Sequence, residues 1–341
     1  MRQTPAIVLS LLALVCLQPA ATAAATVSGD LKIFMLNVGQ GDAILIVCPH
    51  GTHQMLIDAG ADSYPGSKDA FRQQLQALMG TDQKIEVVIS SHPHEDHIGS
   101  LEWVLNTFRV GKIIDSGFPY TSNFAAIPPL IAAKKDAGAL LHFQAKDFPP
   151  AHIADFCPAT NLKAELLIPH DYGKSSANKN NVSVVTLVTY NAQKLLFTGD
   201  AEKQEERLLL LDPVMAPKIQ SVTLYKVGHH GAETSSTRDL LAAIKPAMAM
   251  MSSGCKNVSV NKGYRHPRVA TIDALDSTVP GSGEDERTLA AGKTATGQWT
   301  TSTIHRGIYA TSADGAIVIT ADGSTIHKVS DTVEGAPQAC P

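Results

Sequence analysis

The sequence predicts an α/β fold, and two observations support this class. Apolar runs of strand length alternate with stretches of helical periodicity along most of the chain. Several of the apolar runs end in polar clusters, and open α/β sheets hold their ligands at such strand ends. With 341 residues, 44% of them hydrophobic and 18% charged, the chain can build one large α/β domain or two small ones.

The first element, residues 1–23, has the pattern of an export signal. Arg2 supplies a positive start, residues 6–17 are apolar but too short to span a bilayer comfortably, and Ala21-Thr22-Ala23 is typical of a cleavage site. An uncleaved N-terminal anchor is the alternative. We therefore expect a secreted or periplasmic protein that is cleaved near Ala23 and has no stable membrane insertion afterwards.

Four cysteines remain after this signal: Cys48, Cys157, Cys255 and Cys340. In an oxidising compartment they could form two disulfides with any of three connectivities. Their spacing fits neither a zinc ribbon nor a redox pair. We expect disulfides or buried thiols rather than catalytic cysteines.

Three strands are predicted to open the domain as an antiparallel meander. Strands at 31–36 and 43–48 flank a tight turn, in which Asp42 can bond the backbone amides. The third strand, 54–57, ends in Asp58. Asp58 either orients a metal-bound histidine or caps the next turn, and the sequence leaves both open.

The next strand end carries the densest cluster of metal-binding residue types. A helix is predicted at 68–79 and a strand at 85–89, and His92, His94, Asp96 and His97 then precede a helix at 98–105. Residues i and i+2 of an extended segment project to one side, so His92 and His94 can bind one ion together. Asp96 and His97 lie where the chain turns into the helix and can face a second ion. Imidazole and carboxylate suit Zn²⁺, and also Mn²⁺ or Fe²⁺.

Further strand ends deliver an aspartate and two histidines. Strands at 112–114, 139–143 and 162–168, a helix at 127–135 and a polar loop at 172–181 lead to a hairpin, 182–190 and 194–200, whose end is Asp200. Alone, Asp200 would be read as a helix cap before the helix at 201–211. Beside the histidine cluster we expect it to bridge two ions. A strand at 221–227 is followed by His229 and His230 between glycines, which predicts a third ligand-bearing strand end.

The C-terminal part is predicted to complete the sheets. A helix at 234–244 precedes a strand at 246–251 with core methionines, and His266, before a helix at 269–275, either reaches the site or is a loop residue. Residues 278–303 are polar and are expected to form a surface insertion. Strands at 307–311, 316–320 and 324–328 are predicted to close the fold as an antiparallel meander.

Together these motifs resemble those of the metallo-β-lactamase-fold hydrolases, and within them the branch typified by the extracellular hydrolase domain of ComEC-like competence proteins. The likeness spans residues 31–328. It rests on the His-x-His-x-Asp-His run and on residues 36–43, 57–60, 196–200, 228–231 and 266–267. The resemblance implies a four-layer αββα sandwich at 28–330, followed by a tail at 331–341, as a free-standing exported form.

The resemblance also implies a ligand set, residue by residue. His92 and His94 would bind the first ion, and Asp96, His97 and one of the His229-His230 pair the second, with Asp200 bridging. We favour His230 as the ligand because the last metal histidine of the family is often followed by glycine. Asn180 and Asn181 stand where many members carry a further first-site histidine, so the first ion keeps fewer protein ligands. Asp58, Asn180 and Asn181 would contact the metal ligands rather than the ions.

The activity that the resemblance implies is hydrolysis by metal-activated hydroxide, with two zinc ions expected. The catalytic residues would be Asp96, Asp200, His229 and His266, the two histidines stabilising charge or protonating the leaving group. We favour small or polymeric phosphoester and phosphodiester substrates. The net charge of −4 disfavours a tight, nonspecific nucleic-acid binder. Nucleic acid is therefore considered as a substrate only. The alternatives are hydrolysis of a lactam, lactone or other ester, and a noncatalytic binding module with a weakened metal site. The oligomeric state stays open.

Overall fold

The structure is a computed structural model that describes residues 29–147, 152–153, 156–158, 160–173, 177–281, 283–294, 296–330 and 332–340. The predicted signal at 1–23, with its cleavage near Ala23, lies outside the described residues. Among the helices of the described ranges, none combines the length and the apolar character needed to cross a bilayer.

The first sheet has eight strands and mixes antiparallel with parallel pairing. In spatial order they are Ile326–Val329 (β17), Ile317–Ala321 (β16), Leu31–Met35 (β1), Ile44–Val47 (β2), Gln54–Ile57 (β3), Lys84–Ser90 (β4), Arg109–Asp115 (β5) and Leu141–Gln144 (β6). Pairing is antiparallel from β17 to β3 and parallel from β3 to β6.

The second sheet has seven strands, and a separate hairpin lies beside it. In spatial order the strands are Ile308–Ala310 (β15), Met248–Met251 (β12), Leu224–Lys226 (β11), Gln193–Phe197 (β10), Val185–Tyr190 (β9), Lys163–Leu167 (β8) and His152–Ile153 (β7). Pairing is parallel from β15 to β10 and antiparallel from β10 to β7. The hairpin pairs Arg287–Gly292 (β13) with Trp299–Ile304 (β14).

Helices cover the outer faces of both sheets. They are Ser67–Met79 (α1), Glu95–Ile98 (α2), Leu101–Thr107 (α3), Ile127–Asp136 (α4), Lys203–Leu211 (α5), Arg238–Ile244 (α6), Asn261–Tyr264 (α7), Val269–Asp276 (α8) and Thr311–Asp314 (α9). Alternate residues of each strand point to opposite faces, so Ile33 packs between the sheets while Val88 packs against Phe71 of α1. Leu196 of the second sheet packs outward against α5 and α6. The result is a four-layer αββα sandwich, as the resemblance implied.

Several predicted elements are confirmed. The opening strands β1, β2 and β3 form the antiparallel meander, and Met248, Met250 and Met251 lie in the core. The predicted helix at 98–105 is instead divided at Gly99 and Ser100 into α2 and α3. Within the predicted loop at 172–181, residues 174–176 lie outside the described residues, and Lys179–Val182 forms a short 3-10 helix.

Two predictions for the C-terminal part are wrong. The last three strands do not form one meander, because β15 pairs in parallel with β12 of the second sheet, whereas β16 and β17 belong to the first. The Ala313-Asp314-Gly315 segment is not a hairpin turn; it ends the short helix α9, which carries the chain between the sheets. The polar segment 278–303 is more than a surface insertion, since β13 and β14 bury Leu289 and Ile304.

Both possible disulfides form among the described cysteines. Cys48 bonds Cys157, and Cys255 bonds Cys340, with sequence separations of 109 and 85 residues. The second bond fixes the end of the chain, where Pro337 O accepts a hydrogen bond of 3.1 Å from Asn37 Nδ2. The tail therefore contacts the turn that follows β1.

Candidate metal centre

Four strand ends from the two sheets converge at one edge of the sandwich. His92 follows β4 and Asp58 follows the neighbouring parallel strand β3, while Asp200 and His230 follow the parallel strands β10 and β11. The carboxyl ends of parallel neighbours lie at the same edge of a sheet. The distance of 3.2 Å between His97 Nε2 and Asp200 Oδ2 shows that the two edges meet.

Asp96, His97, Asp200 and His230 form the tightest group of potential ligands. One donor atom from each lies within 4.8 Å of the others. His230 Nε2 is 3.3 Å from Asp96 Oδ2 and 3.4 Å from Asp200 Oδ2. Within the described part of the chain, the buried atoms His97 Nε2, His230 Nε2 and Asp200 Oδ1 have no hydrogen-bond partner. Because buried polar atoms without partners are costly, and because a lone pair on imidazole or carboxylate can bind a metal, this set fits a divalent cation.

His92 and His94 lie beside this group rather than within it. His92 Nε2 is 3.0 Å from His94 Nδ1 and 3.8 Å from Asp200 Oδ2. His92 is fully buried, and His94 lines the cavity described below. The pair can therefore share an ion that also contacts Asp200, but the described residues place fewer donors around it than around Asp96 and His97.

A carboxylate and a backbone carbonyl accept hydrogen bonds from the Nδ1 atoms of His97 and His230. His97 Nδ1 donates to Asp58 Oδ2 at 2.7 Å, and Asp58 also accepts from Ser91 N at 2.7 Å. His230 Nδ1 lies 3.2 Å from Ser252 O and 3.4 Å from Asp42 Oδ1. A proton held on Nδ1 leaves Nε2 of each ring free to accept a metal.

Asp42 and Lys226 are buried partners that the sequence analysis did not assign to the site. Lys226 is fully buried, forms an ion pair with Asp42, donates to Gly199 O at 2.7 Å and lies 3.8 Å from Asp200 Oδ1. The turn bearing Asp42 docks closely on α2, since a Cβ at Gly41 would lie 2.5 Å from Asp96 O. Asp42 was expected only to bond backbone amides of its turn. A lysine inside the apolar run of β11 was the signal available in the sequence.

Burial and charge together set the protonation of the centre. Burial acts to raise the pKa of Asp200, but His230 and His97 outweigh it and hold the pKa well below its usual range. Burial acts to lower the pKa of His97, but Asp200 and Asp58 outweigh it and raise the pKa well above its usual range. Burial, reinforced by His97, holds the pKa of His92 well below its usual range. A metal bound at His97 would therefore compete with a proton, whereas His92 is already neutral.

His229, Asn180 and Asn181 lie at one side of the centre. His229 Nδ1 is 3.1 Å from Glu202 Oε1, which also accepts from Asn180 Nδ2 at 3.1 Å. His229 Nε2 is 3.7 Å from Asp200 Oδ2, and His229 is outside the tight group that contains His230. Asn181 Oδ1 accepts from the backbone of Glu202 and Glu205 at 3.3 Å, so it caps the start of α5.

A cavity of about 470 Å³ opens onto these residues, and its wall includes His94, Asp96, Asp200, His229 and His266. His266 Nδ1 accepts from Gln40 Nε2 at 3.4 Å, so the proton of the ring lies on Nε2. Burial, with His229 and His230, lowers the pKa of His266 to about 2. His266 therefore reaches the cavity as a neutral ring that can donate a hydrogen bond.

Comparison with known proteins gives similarities to metallo-hydrolases and competence proteins. Residues 36–254 match the family described as the metallo-beta-lactamase superfamily. The chain is 25% identical over 260 residues to ComE operon protein 3 of Bacillus subtilis, which covers 73% of this chain and 31% of that protein. It is 30% identical over 245 residues to Recombination protein 2 of Haemophilus influenzae, covering 72% of this chain and 26% of that protein. The chain thus spans about a third or less of the length of these relatives.

Among solved structures, Igni18, a metallo hydrolase from Ignicoccus hospitalis, is similar at 17% identity and a TM-score of 0.38. That match covers 65% of this chain and 81% of the other.

Proposed function

The chain belongs to the metallo-β-lactamase superfamily, and on that premise we propose that it is an exported, metal-dependent hydrolase of phosphoesters, with phosphodiesters such as DNA favoured. The observation that carries the proposal is the buried group of Asp96, His97, Asp200 and His230, in which the inward-facing imidazole nitrogens lack hydrogen-bond partners among the described residues. The name of one relative refers to recombination, and it favours a nucleic-acid substrate.

In this proposal the ligands divide between two ions. His92 and His94 would hold the first ion, Asp96, His97 and His230 would hold the second, and Asp200 would be shared between them. Two divalent ions held there would lower the pKa of a water and polarise a phosphate. Zn²⁺ is the expected ion, with Mn²⁺ or Fe²⁺ as alternatives that the same donors accept.

The surrounding residues orient the ligands and contact the substrate. Asp58 accepts from Nδ1 of His97, and Ser252 O accepts from Nδ1 of His230, which directs the Nε2 atoms of both rings to the centre. Glu202 orients His229 in the same way. His266, neutral and protonated on Nε2, is suited to stabilise charge on the phosphate or the leaving oxygen by a hydrogen bond.

A phosphoester is favoured over a lactam because of the sparse donor set at the first ion. His92, His94 and Asp200 would be the donors to that ion, and Asn181 Oδ1 would not add to them because it caps the start of α5. An anionic phosphate oxygen suits an ion with few protein donors better than a neutral carbonyl does.

Export is proposed from the pattern at 1–23 and is supported by the disulfides. Structural disulfides persist in oxidising compartments, and the described cysteines form two of them, Cys48–Cys157 and Cys255–Cys340. The exported chain would then carry the hydrolase domain proposed at 28–330.

The test compares substrates side by side on the metal-reconstituted chain. We expect turnover of bis(p-nitrophenyl) phosphate and of DNA, and little turnover of a chromogenic cephalosporin. Chelation should abolish the activity, and added metal should restore it. Preference for the cephalosporin would overturn the phosphoester assignment, and activity that survives exhaustive chelation would exclude the metal-dependent route. Metal-depleted protein without turnover of any substrate would identify a noncatalytic binding module.

A further inference from the structure

One wall of the cavity presents an aromatic ring next to the candidate metal ligands. Tyr264, at the end of α7, lines the cavity and is 50% exposed. Its ring is nearly parallel to that of His266, at an interplanar angle of 20° and a centroid distance of 5.8 Å. Tyr264 therefore has one side toward His266 and a substantial exposed surface.

The backbone beneath Tyr264 is held rigidly. Asn261 is fully buried, and its Nδ2 donates to Gly254 O and to His266 O, each at 2.7 Å. Asn261 Oδ1 accepts from His266 N at 2.7 Å. One side chain thus ties α7 to the segment that carries His266. Because the backbone is fixed in this way, binding of a ligand to the ring would order the side chain of Tyr264 alone.

The same wall contains a buried guanidinium, Arg268, which feels the charge of Glu233 on that wall but forms no ion pair among the described residues. Arg268 lines the cavity, is only 4% exposed, and its Nε and Nη1 have no hydrogen-bond partner among the described residues. Its backbone N donates to Gly231 O at 2.9 Å, next to His230. Buried N–H groups without acceptors are costly, so an anionic ligand that accepts hydrogen bonds from Arg268 would gain affinity.

We propose that this wall is a nucleotide subsite, in which a nucleobase stacks on Tyr264 and a phosphate beyond the scissile one pairs with Arg268. The inference rests on the proposed phosphodiesterase function and narrows its substrate class to single-stranded nucleic acid. The cavity of about 470 Å³ has the size of a small-ligand site. A base within a duplex has both faces stacked on its neighbours and must leave the stack before it can meet Tyr264.

The first experiment compares two substrates with one leaving group on the zinc-loaded full chain. They are thymidine 5′-(p-nitrophenyl phosphate) and methyl p-nitrophenyl phosphate, and the ratio of their kcat/KM values isolates the effect of the nucleoside. We expect Tyr264→Ala to lower this ratio about tenfold, as a lost base stack would. Tyr264→Phe, which keeps the ring, should retain the ratio. Val258→Ala, at a 49% exposed position outside the cavity wall, is the matched control.

The second experiment measures binding by calorimetry. Wild-type protein should bind thymidine 3′,5′-bisphosphate about tenfold more tightly than thymidine 5′-monophosphate, and both Arg268→Gln and Arg268→Lys should reduce that difference. If wild-type protein hydrolyses the methyl ester but Tyr264→Ala leaves the substrate ratio unchanged, the subsite is refuted while the phosphodiesterase proposal stands. If neither ester is hydrolysed, the phosphodiesterase proposal fails. Equal affinity of wild-type protein for the two nucleotides would then refute the subsite as well.

Discussion

Replacing Lys226 by methionine should destabilise the metal-free protein, because the buried carboxylate of Asp42 loses its ion-pair partner. The substitution keeps the length of the side chain but leaves the Asp42 carboxylate, 1% exposed, without its cationic partner. Removing one member of a buried ion pair costs about 3–5 kcal/mol. Asp42 keeps His230 Nδ1 at 3.4 Å, so we expect the lower end, about 3 kcal/mol. For a domain of about 300 residues, whose unfolding entropy is about 0.63 kcal/mol/K, that corresponds to a fall in Tm of roughly 5 °C.

Urea unfolding of chelator-treated protein with intact disulfides, followed by circular dichroism, measures this loss. The double variant Asp42→Asn, Lys226→Met removes both charges and should recover all but about 1 kcal/mol of it, because no unpaired charge remains. The reasoning is refuted if Lys226→Met alone lies within about 1 kcal/mol of wild type. It is also refuted if the double variant is no more stable than the single one.

Three further substitutions test the centre and its surroundings. Asp200→Ala should abolish hydrolysis while the circular dichroism spectrum is retained, and full activity would remove Asp200 from a bridging role. Asp58→Asn should weaken zinc binding about 10- to 100-fold in a chelator competition, because His97 loses the carboxylate on Nδ1; unchanged affinity would contradict that role. Burial raises the pKa of Glu205 well above its usual value of 4.5. The folded protein therefore favours the protonated form and loses stability as the pH rises above 4.5. Glu205→Gln should remove this pH-dependent loss of stability. If the free energy of unfolding falls with pH equally steeply in wild type and variant, the role of Glu205 is contradicted.

The sequence was most informative where strand pattern and turn chemistry agree. The opening meander could be predicted because apolar runs of four to six residues are separated by glycine-containing turns, and pairing between neighbours needs no further information. The partner of β15 could not be predicted in that way. Its three residues pair with β12, which is distant in the chain, and local pattern does not encode that choice.

The metal ligands of the candidate centre could be predicted from the sequence, but the residues that contact those ligands could not. His97, Asp200 and His230 were recognisable because each follows an apolar run, and strand ends meet at a common edge. Lys226 and Asp42 were not predicted because their ion pair forms only when the two sheets pack together. Glu202 was missed for a similar reason, since it reaches His229 across the gap between two strand ends.

The Cys255–Cys340 bond has a practical consequence for recombinant work. Cys255 precedes the segment that carries Tyr264, and the tail closed by Cys340 holds Asn37 at the start of the turn that bears Asp42. Material made in a host cytoplasm with reduced thiols would leave both segments untethered. Batches should therefore be compared by their free-thiol content before their rates are compared.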